Sequence, residues 1–210
     1  MTGRRRWWRV WGLASAFVAG AMWLAGAGAA VAQGGPHPDN LRDREVIQTA
    51  YHEPSDTYFQ LVSDVVDKTG TGKWRFAVTK ARRASHEGRQ GRLARIGSAE
   101  RHQWLIESFD LDALPGAPGI WIGLRYWCGM RMLTWADGDE LKPGAFHQPW
   151  STPWHLSDIK CGSNKIAYMG VFYDRRNGRW RAAGPKKRFR YYLIEYPPAK
   201  EMPQQQEATR

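Results

Sequence analysis

The chain reads as an α+β fold, with helices and strands grouped along the sequence rather than alternating. Three observations predict this class. Two helical periodicities lie between residues 74 and 108. An uninterrupted apolar strand, Gly119-Ile120-Trp121-Ile122-Gly123-Leu124, follows them. Strands and turns resume at Ile166, after Arg125–Lys160, a long run without regular periodicity. Irregular runs of that length inside one domain are uncommon and usually functional.

Residues 1–32 read as an export signal. Arg4, Arg5, Arg6 and Arg9 make a basic start, Val10–Ala29 an apolar stretch, and Ala30-Val31-Ala32 a small-x-small cleavage site. Arg4-Arg5-Arg6-Trp7-Trp8-Arg9 also fits the twin-arginine pattern loosely, so the general secretory and twin-arginine routes both stay open. Val10–Ala32 exceeds the about 20 apolar residues that span a bilayer, and an uncleaved anchor is the rival reading. The cleavage site favours removal, no span in the mature chain, and a periplasmic or secreted product.

Residues 33–50 read as a linker opened by Gly34-Gly35-Pro36, and residues 51–198 as one domain. Tyr58-Phe59-Gln60-Leu61-Val62 is a first strand, and Lys68–Lys73 a Gly/Thr turn. Trp74, Ala77, Val78 and Ala81 recur at i, i+3, i+4 and i+7, one face of an amphipathic helix. Gly88–Gly91 breaks the chain, and Leu93-Ala94-Arg95-Ile96 is a brief extended piece. Ser98 is a candidate N-cap for a second helix running to Ser108, with Glu100 in its first turn and Trp104 and Leu105 facing inward. Beyond the apolar strand, Trp135-Ala136-Asp137-Gly138 reads as a turn: Asp137 can bond local backbone and Gly138 can take positive φ. Ile166–Tyr173 is a strand, Asn177-Gly178 a hairpin turn into Arg179-Trp180-Arg181, and Phe189–Tyr196 a closing strand ended by Pro197-Pro198. Residues 199–210 read as a flexible tail.

With 42% hydrophobic and 24% charged residues, wholesale disorder is excluded. Setting aside the four N-terminal arginines leaves 27 basic against 20 acidic residues. Such a surplus favours anionic partners, acidic glycans among them; a spread of charge for solubility is the bland reading. Export argues against nucleic acid. Cys128 and Cys161 are the only cysteines, and an oxidising compartment supports a disulfide between them, two free thiols being the other reading.

Taken together, Gly119–Leu124 and Trp135-Ala136-Asp137-Gly138 resemble the WIGL and W-x-DG signature of the C-type-lectin-like domain. Gly91-Arg92-Leu93-Ala94-Arg95-Ile96 with Ser98 and Glu100 is similar to the family's entry to its second helix. Gly178-Arg179-Trp180 and Tyr192-Leu193-Ile194-Glu195 are similar to its G-K-W and Y-I-C-E segments. The resemblance covers about Asp56–Pro197 and implies two helices packed on small antiparallel sheets, with a long loop region that usually binds a ligand. It also implies a binding protein and not an enzyme.

The departures from the family carry the functional expectation. Where most animal members join the first helix to the last strand by a disulfide, this chain has Ala81 and Ile194, so packing is expected in its place. Cys128 and Cys161 are then expected to pin the two ends of the long loop. Calcium-binding members carry Glu-Pro-Asn or Gln-Pro-Asp in that loop and Trp-Asn-Asp in the next strand. Here the triplets are Gln148-Pro149-Trp150 and Trp180-Arg181-Ala182, so carboxylates are replaced by Trp and Arg. A hard cation needs converging oxygens, and no calcium, other metal or cofactor is expected.

The resemblance and the composition together imply a ligand surface on the Arg125–Lys160 loop and the adjoining hairpin. Trp150 and Trp154 would stack on sugar rings, Gln148 would bond hydroxyls, and Arg181 would pair with acidic groups. The partner is then a carbohydrate, such as an anionic envelope polysaccharide, or alternatively a protein ligand. The plainer reading of the loop tryptophans is a small core of the loop itself; Trp121, Trp135 and Trp180 read as core. Lys186-Lys187-Arg188-x-Arg190 could meet phosphate or sulfate, or be a solvated strand edge. His147, His155, Asp158 and Cys161 match no zinc spacing, and no Gly-x-Ser-x-Gly, His-Glu-x-x-His or Walker loop is present.

Overall fold

The computed structural model describes residues 44–64, 72–142, 144–145, 149–150, 161 and 166–199. In chain order the elements are β1 (Arg44–His52), a 3-10 turn (Glu53–Ser55), β2 (Thr57–Asp64), α1 (Trp74–Arg83), β3 (Ser85–His86), β4 (Arg89–Gln90), β5 (Arg92–Leu93) and α2 (Ala99–Ser108). They continue with β6 (Gly119–Trp127), β7 (Met132–Trp135), β8 (Tyr168–Asp174), β9 (Arg179–Ala183) and β10 (Tyr191–Tyr196). The expected signal, residues 1–32, and the tail beyond residue 199 lie outside the described residues. Among the described residues, no helix is long and apolar enough to cross a membrane.

One mixed sheet dominates, in the order β1-β2-β10-β6-β8-β9, with β5 on β10 and β7 on β6. The closing strand lies antiparallel to β2, from Tyr191 opposite Ser63 to Tyr196 opposite Tyr58, and parallel to β6. All six residues of β10 are buried. Alternation along the strands sends side chains to two cores. Tyr191 and Leu193 join Leu61, Trp180 and Leu105 of α2 on one face. Tyr192, Ile194 and Tyr196 join Trp121, Phe172 and the α1 residues Trp74, Ala77 and Ala81 on the other.

The helices form where their periodicity places them. Ser98 caps α2, its hydroxyl accepting from Arg101 N–H at 3.0 Å. No side-chain cap starts α1, but Lys80, Arg82 and Arg83 sit in its last turn, where the helix dipole favours cations. Ala81 and Ile194 are both fully buried in one cluster. Gly91 lies against them: a Cβ there would stand 2.7 Å from Ala81 O and 3.0 Å from Ile194 Cγ2. Close apolar packing thus joins the first helix to the last strand, as expected of Ala81 and Ile194.

The linker expectation for 33–50 is corrected over its last residues, because Arg44–Ala50 belong to β1. A register shift between Val46 and Gln48 breaks its alternation, and as an edge strand it leaves Val46, Ile47 and Tyr51 exposed. Neither feature reads as a strand in sequence. β7, inside the run expected to be irregular, is four residues long and gains its form by pairing with β6. The closing strand begins at Tyr191 rather than Phe189, since Lys187 N–H donates to Gly184 O in a turn and Phe189 N–H to Gly72 O.

At the centre, the β6–β8 register shifts between Trp121 and Arg125. Gly123 N–H donates to Ala94 O at 2.9 Å, and its carbonyl accepts from Ala136 N–H at 2.6 Å. A Cβ on Gly123 would stand 2.5 Å from Leu93 O. Gly123→Ala is therefore expected to cost roughly 1–3 kcal/mol in urea unfolding, whereas Gly97→Ala, with open space around it, stays within about 1 kcal/mol of the parent. Equal effects would show that the approach of β5 to β6 does not require glycine.

Candidate binding site

The long loop is anchored at three places. Cys128, just after β6, is bonded to Cys161, with Cα atoms 5.6 Å apart. Leu141 N–H donates to Leu133 O at 3.0 Å, folding the start of the loop back on β7. Pro149-Trp150 is laid along β9, where Trp180 N–H donates to Pro149 O at 2.6 Å and Arg179 Nη1 to Trp150 O at 3.2 Å. Pro149-Trp150 and Trp180 are therefore neighbours in space.

Strand alternation divides the expected contact residues. Trp150 is only 8% exposed, with its ring edge-on to Trp180 at 5.5 Å. Trp180 is fully buried and meets Trp135 at 6.5 Å on the same core face. Trp150, expected to stack on a sugar, thus packs into the main core beside Trp180, because its backbone pairing with β9 aims the ring inward. Arg181 points to the opposite side of β9, and its side chain is 50% exposed. Trp150 and Arg181 do not share a surface. Gln148 and Trp154, with His147, His155 and Asp158, lie outside the described residues.

Arg181 does not stand alone. The Asp174 carboxylate, fully buried on β8, accepts a fork from Arg176: Nε to Oδ1 at 2.9 Å and Nη2 to Oδ2 at 2.7 Å. Arg181 Nη1 donates to Oδ2 at 3.3 Å. One carboxylate therefore fixes two guanidiniums, leaving a surplus positive charge over the hairpin. The sequence pattern singles out Arg181 but gives no signal for Asp174 and Arg176, whose placement in a hairpin looks like ordinary turn chemistry. Across the molecule, Glu195 is buried beside Arg92 at 2.7 Å, and Arg92 and Arg95 also hold Asp137 of the expected turn at 3.2 and 3.0 Å. Gly138 there takes φ +110°. Among the described residues, no group of three His, Cys, Asp or Glu could hold a metal ion.

Two outcomes follow from this geometry. Closing a loop with a sequence separation of 33 by a disulfide contributes about 3 to 4 kcal/mol in the chain-entropy account. Cys128→Ser/Cys161→Ser is expected to lose about that much stability in urea unfolding; an unchanged midpoint would remove the loop closure from the stabilising terms. The second concerns acid. Arg176 beside Asp174 holds its carboxyl below the ordinary value of 3.8. The unfolded chain then takes up the proton first, so this stabilisation is whole above pH 3.8 and fades as pH falls through the lowered folded value. Asp174→Asn should flatten the stability profile in that window, and a slope identical to the parent's would refute the linkage.

No protein-family profile matches the chain, and no curated protein matches it. Solved structures do. The C-type lectin CEL-I from Cucumaria echinata is 16% identical, with a TM-score of 0.48 over 67% of this chain and 89% of that one. CEL-IV is 20% identical, with a TM-score of 0.49 over 71% and 91%. The mouse scavenger receptor C-type lectin carbohydrate-recognition domain is 17% identical, with a TM-score of 0.48 over 71% and 95%. With β2 and β10 side by side, the Gly119–Leu124 strand at the centre, a helix on each face and a long loop closed by a disulfide, this chain has an α+β, C-type-lectin-like fold.

Proposed function

We propose that the chain is an exported lectin-like binding protein that recognises carbohydrate without calcium, through the Arg125–Lys160 loop and the outer side of β9. The observation that carries this reading is the pairing of Pro149-Trp150 with Arg179-Trp180. It seats the loop against β9 with Trp150 turned into the core, and leaves Arg181 and Ala182 on β9 where converging hard oxygen donors would be needed. On the outer side of β9 a cation would face the Arg181 guanidinium, and Asp174, the carboxylate that Arg181 touches, is already committed to Arg176. Among the described residues, those at this place do not fit calcium.

In this reading Trp150 and Trp180 secure the loop, and Arg181 meets acidic or hydroxyl oxygens of the ligand. Gln148 and Trp154 add a hydrogen bond and a stacking face from the loop. The export signal at residues 1–32 and the disulfide both suit an oxidising compartment. The chain acts by binding and not by catalysis.

A glycan panel on the full chain, with and without chelator, tests this. Binding is expected to persist in chelator and to weaken roughly tenfold in Arg181→Ala, the scale of one well-placed charged contact. Loss of binding in chelator would overturn calcium independence. A blank panel, together with a specific protein captured from envelope extract, would replace the carbohydrate reading by a protein-binding one.

A further inference from the structure

Two cavities adjoin on the α1 side of β9. One, of ≈ 230 Å³, reaches from the start of α1, at Lys73 and Arg75, to Gly184 and Lys187. The other, of ≈ 360 Å³, is walled by Arg176 and Arg181 and shares Ala183, Gly184 and Lys187 with the first. Five cationic side chains therefore line these two adjoining cavities, which together form the groove considered below, and no carboxylate is among their lining residues. The acid that pairs with this groove's cations is Asp174, fully buried and shared by Arg176 and Arg181. Among the described residues, no ion pair holds Lys73, Arg75 or Lys187. The Lys187 ammonium lies 5.4 Å from the Phe189 ring centroid.

The floor beneath these charges is closely packed. Arg181 stands opposite Phe172 in the β8–β9 register. Phe172 packs on Phe189 at 4.6 Å, and Trp121 meets Phe189 at 4.8 Å. Gly119 lets Phe189 fold in this far, since a Cβ would stand 2.3 Å from that ring. These three rings are buried, while Phe76 and Tyr168, which line the first cavity, are exposed and half-buried, respectively.

We propose that this groove binds a linear acidic polysaccharide, with carboxylate or sulfate groups meeting Arg176 and Arg181 at one end, Lys73 and Arg75 at the other, and Lys187 between. The proposal rests on the carbohydrate reading above and deepens it, naming the ligand as a polyanion and extending the site from β9 to α1. Single-stranded nucleic acid is the competing polyanion; the export signal expected at residues 1–32 argues against it, and the oligonucleotide in the test separates the two. A chain of charged sugars needs only spaced cations along a groove.

The test uses the full chain in chelator, titrated with polygalacturonate, dextran sulfate, neutral dextran and a mixed-sequence single-stranded oligonucleotide. Arg75→Glu and Lys187→Glu are compared with Arg83→Glu, an exposed α1 residue outside the groove that makes the same change in net charge. The two groove variants are expected to weaken polygalacturonate or dextran sulfate roughly tenfold, with the Arg83 variant within about twofold. Raised salt should weaken the parent's binding. Equal losses in all three variants would reduce the effect to net charge and overturn the groove. Tighter binding of the oligonucleotide, or no binding of either polyanion, would also overturn it. If neutral sugars on the glycan panel still bind while both polyanions fail, the groove falls and the carbohydrate reading survives. A blank panel with intact, groove-dependent polyanion binding upholds the groove and removes the broader glycan reading.

Discussion

Strand β6 cannot keep a regular ladder through Ile122–Leu124, and each backbone group it releases is taken by a different part of the chain. Ile122 O accepts from the Trp74 indole of α1 at 2.8 Å. Gly123 N–H reaches Ala94, just past β5, and Gly123 O receives Ala136 from the turn after β7. Buried peptide groups must find partners, so this irregularity fixes a helix, a short strand and a turn with three hydrogen bonds. The Trp121 indole adds a fourth tie, donating to Gly72 O at 2.7 Å and holding the chain at the entry to α1. The absence of a side chain at Gly123 is what permits the crowding.

That arrangement explains why much of the fold is legible in sequence. Ser98, the Trp74–Ala81 stripe, Gly119–Leu124 and the Asp137-Gly138 turn each answer to a local rule, and the fold respects each of them. β1 and β7 answer to none. β1 is an edge with a register shift, and β7 is too short to show a period. The pairing of Cys128 with Cys161 needs no choice between partners, because the chain has two cysteines.

The site is less legible, and the reason is geometric. Neighbours in sequence on a strand point to opposite sides, so Trp180 and Arg181 serve different faces. A motif read along the chain merges them. Trp150 follows Trp180 into the core through backbone pairing, which no composition rule anticipates. Asp174 escapes notice for a similar reason. Its importance lies in being buried beneath two arginines that are two and seven residues away and come together only when the hairpin closes. Basic residues that look scattered from Lys73 to Lys187 likewise converge because α1 and the turn after β9 border the same strand edge.

The cystine at the neck of the long loop has a consequence for how such a chain can change over time. With both ends of the excursion fastened beside β6, and with β7, the turn after it and Trp150 tied into the core, the insert between those ties is where length and composition are free to change. Residues can be added or exchanged there at little entropic cost, since closure free energy grows only slowly with length. New partner preferences could therefore arise by rewriting that insert alone, while the central strand and its glycine stay constant.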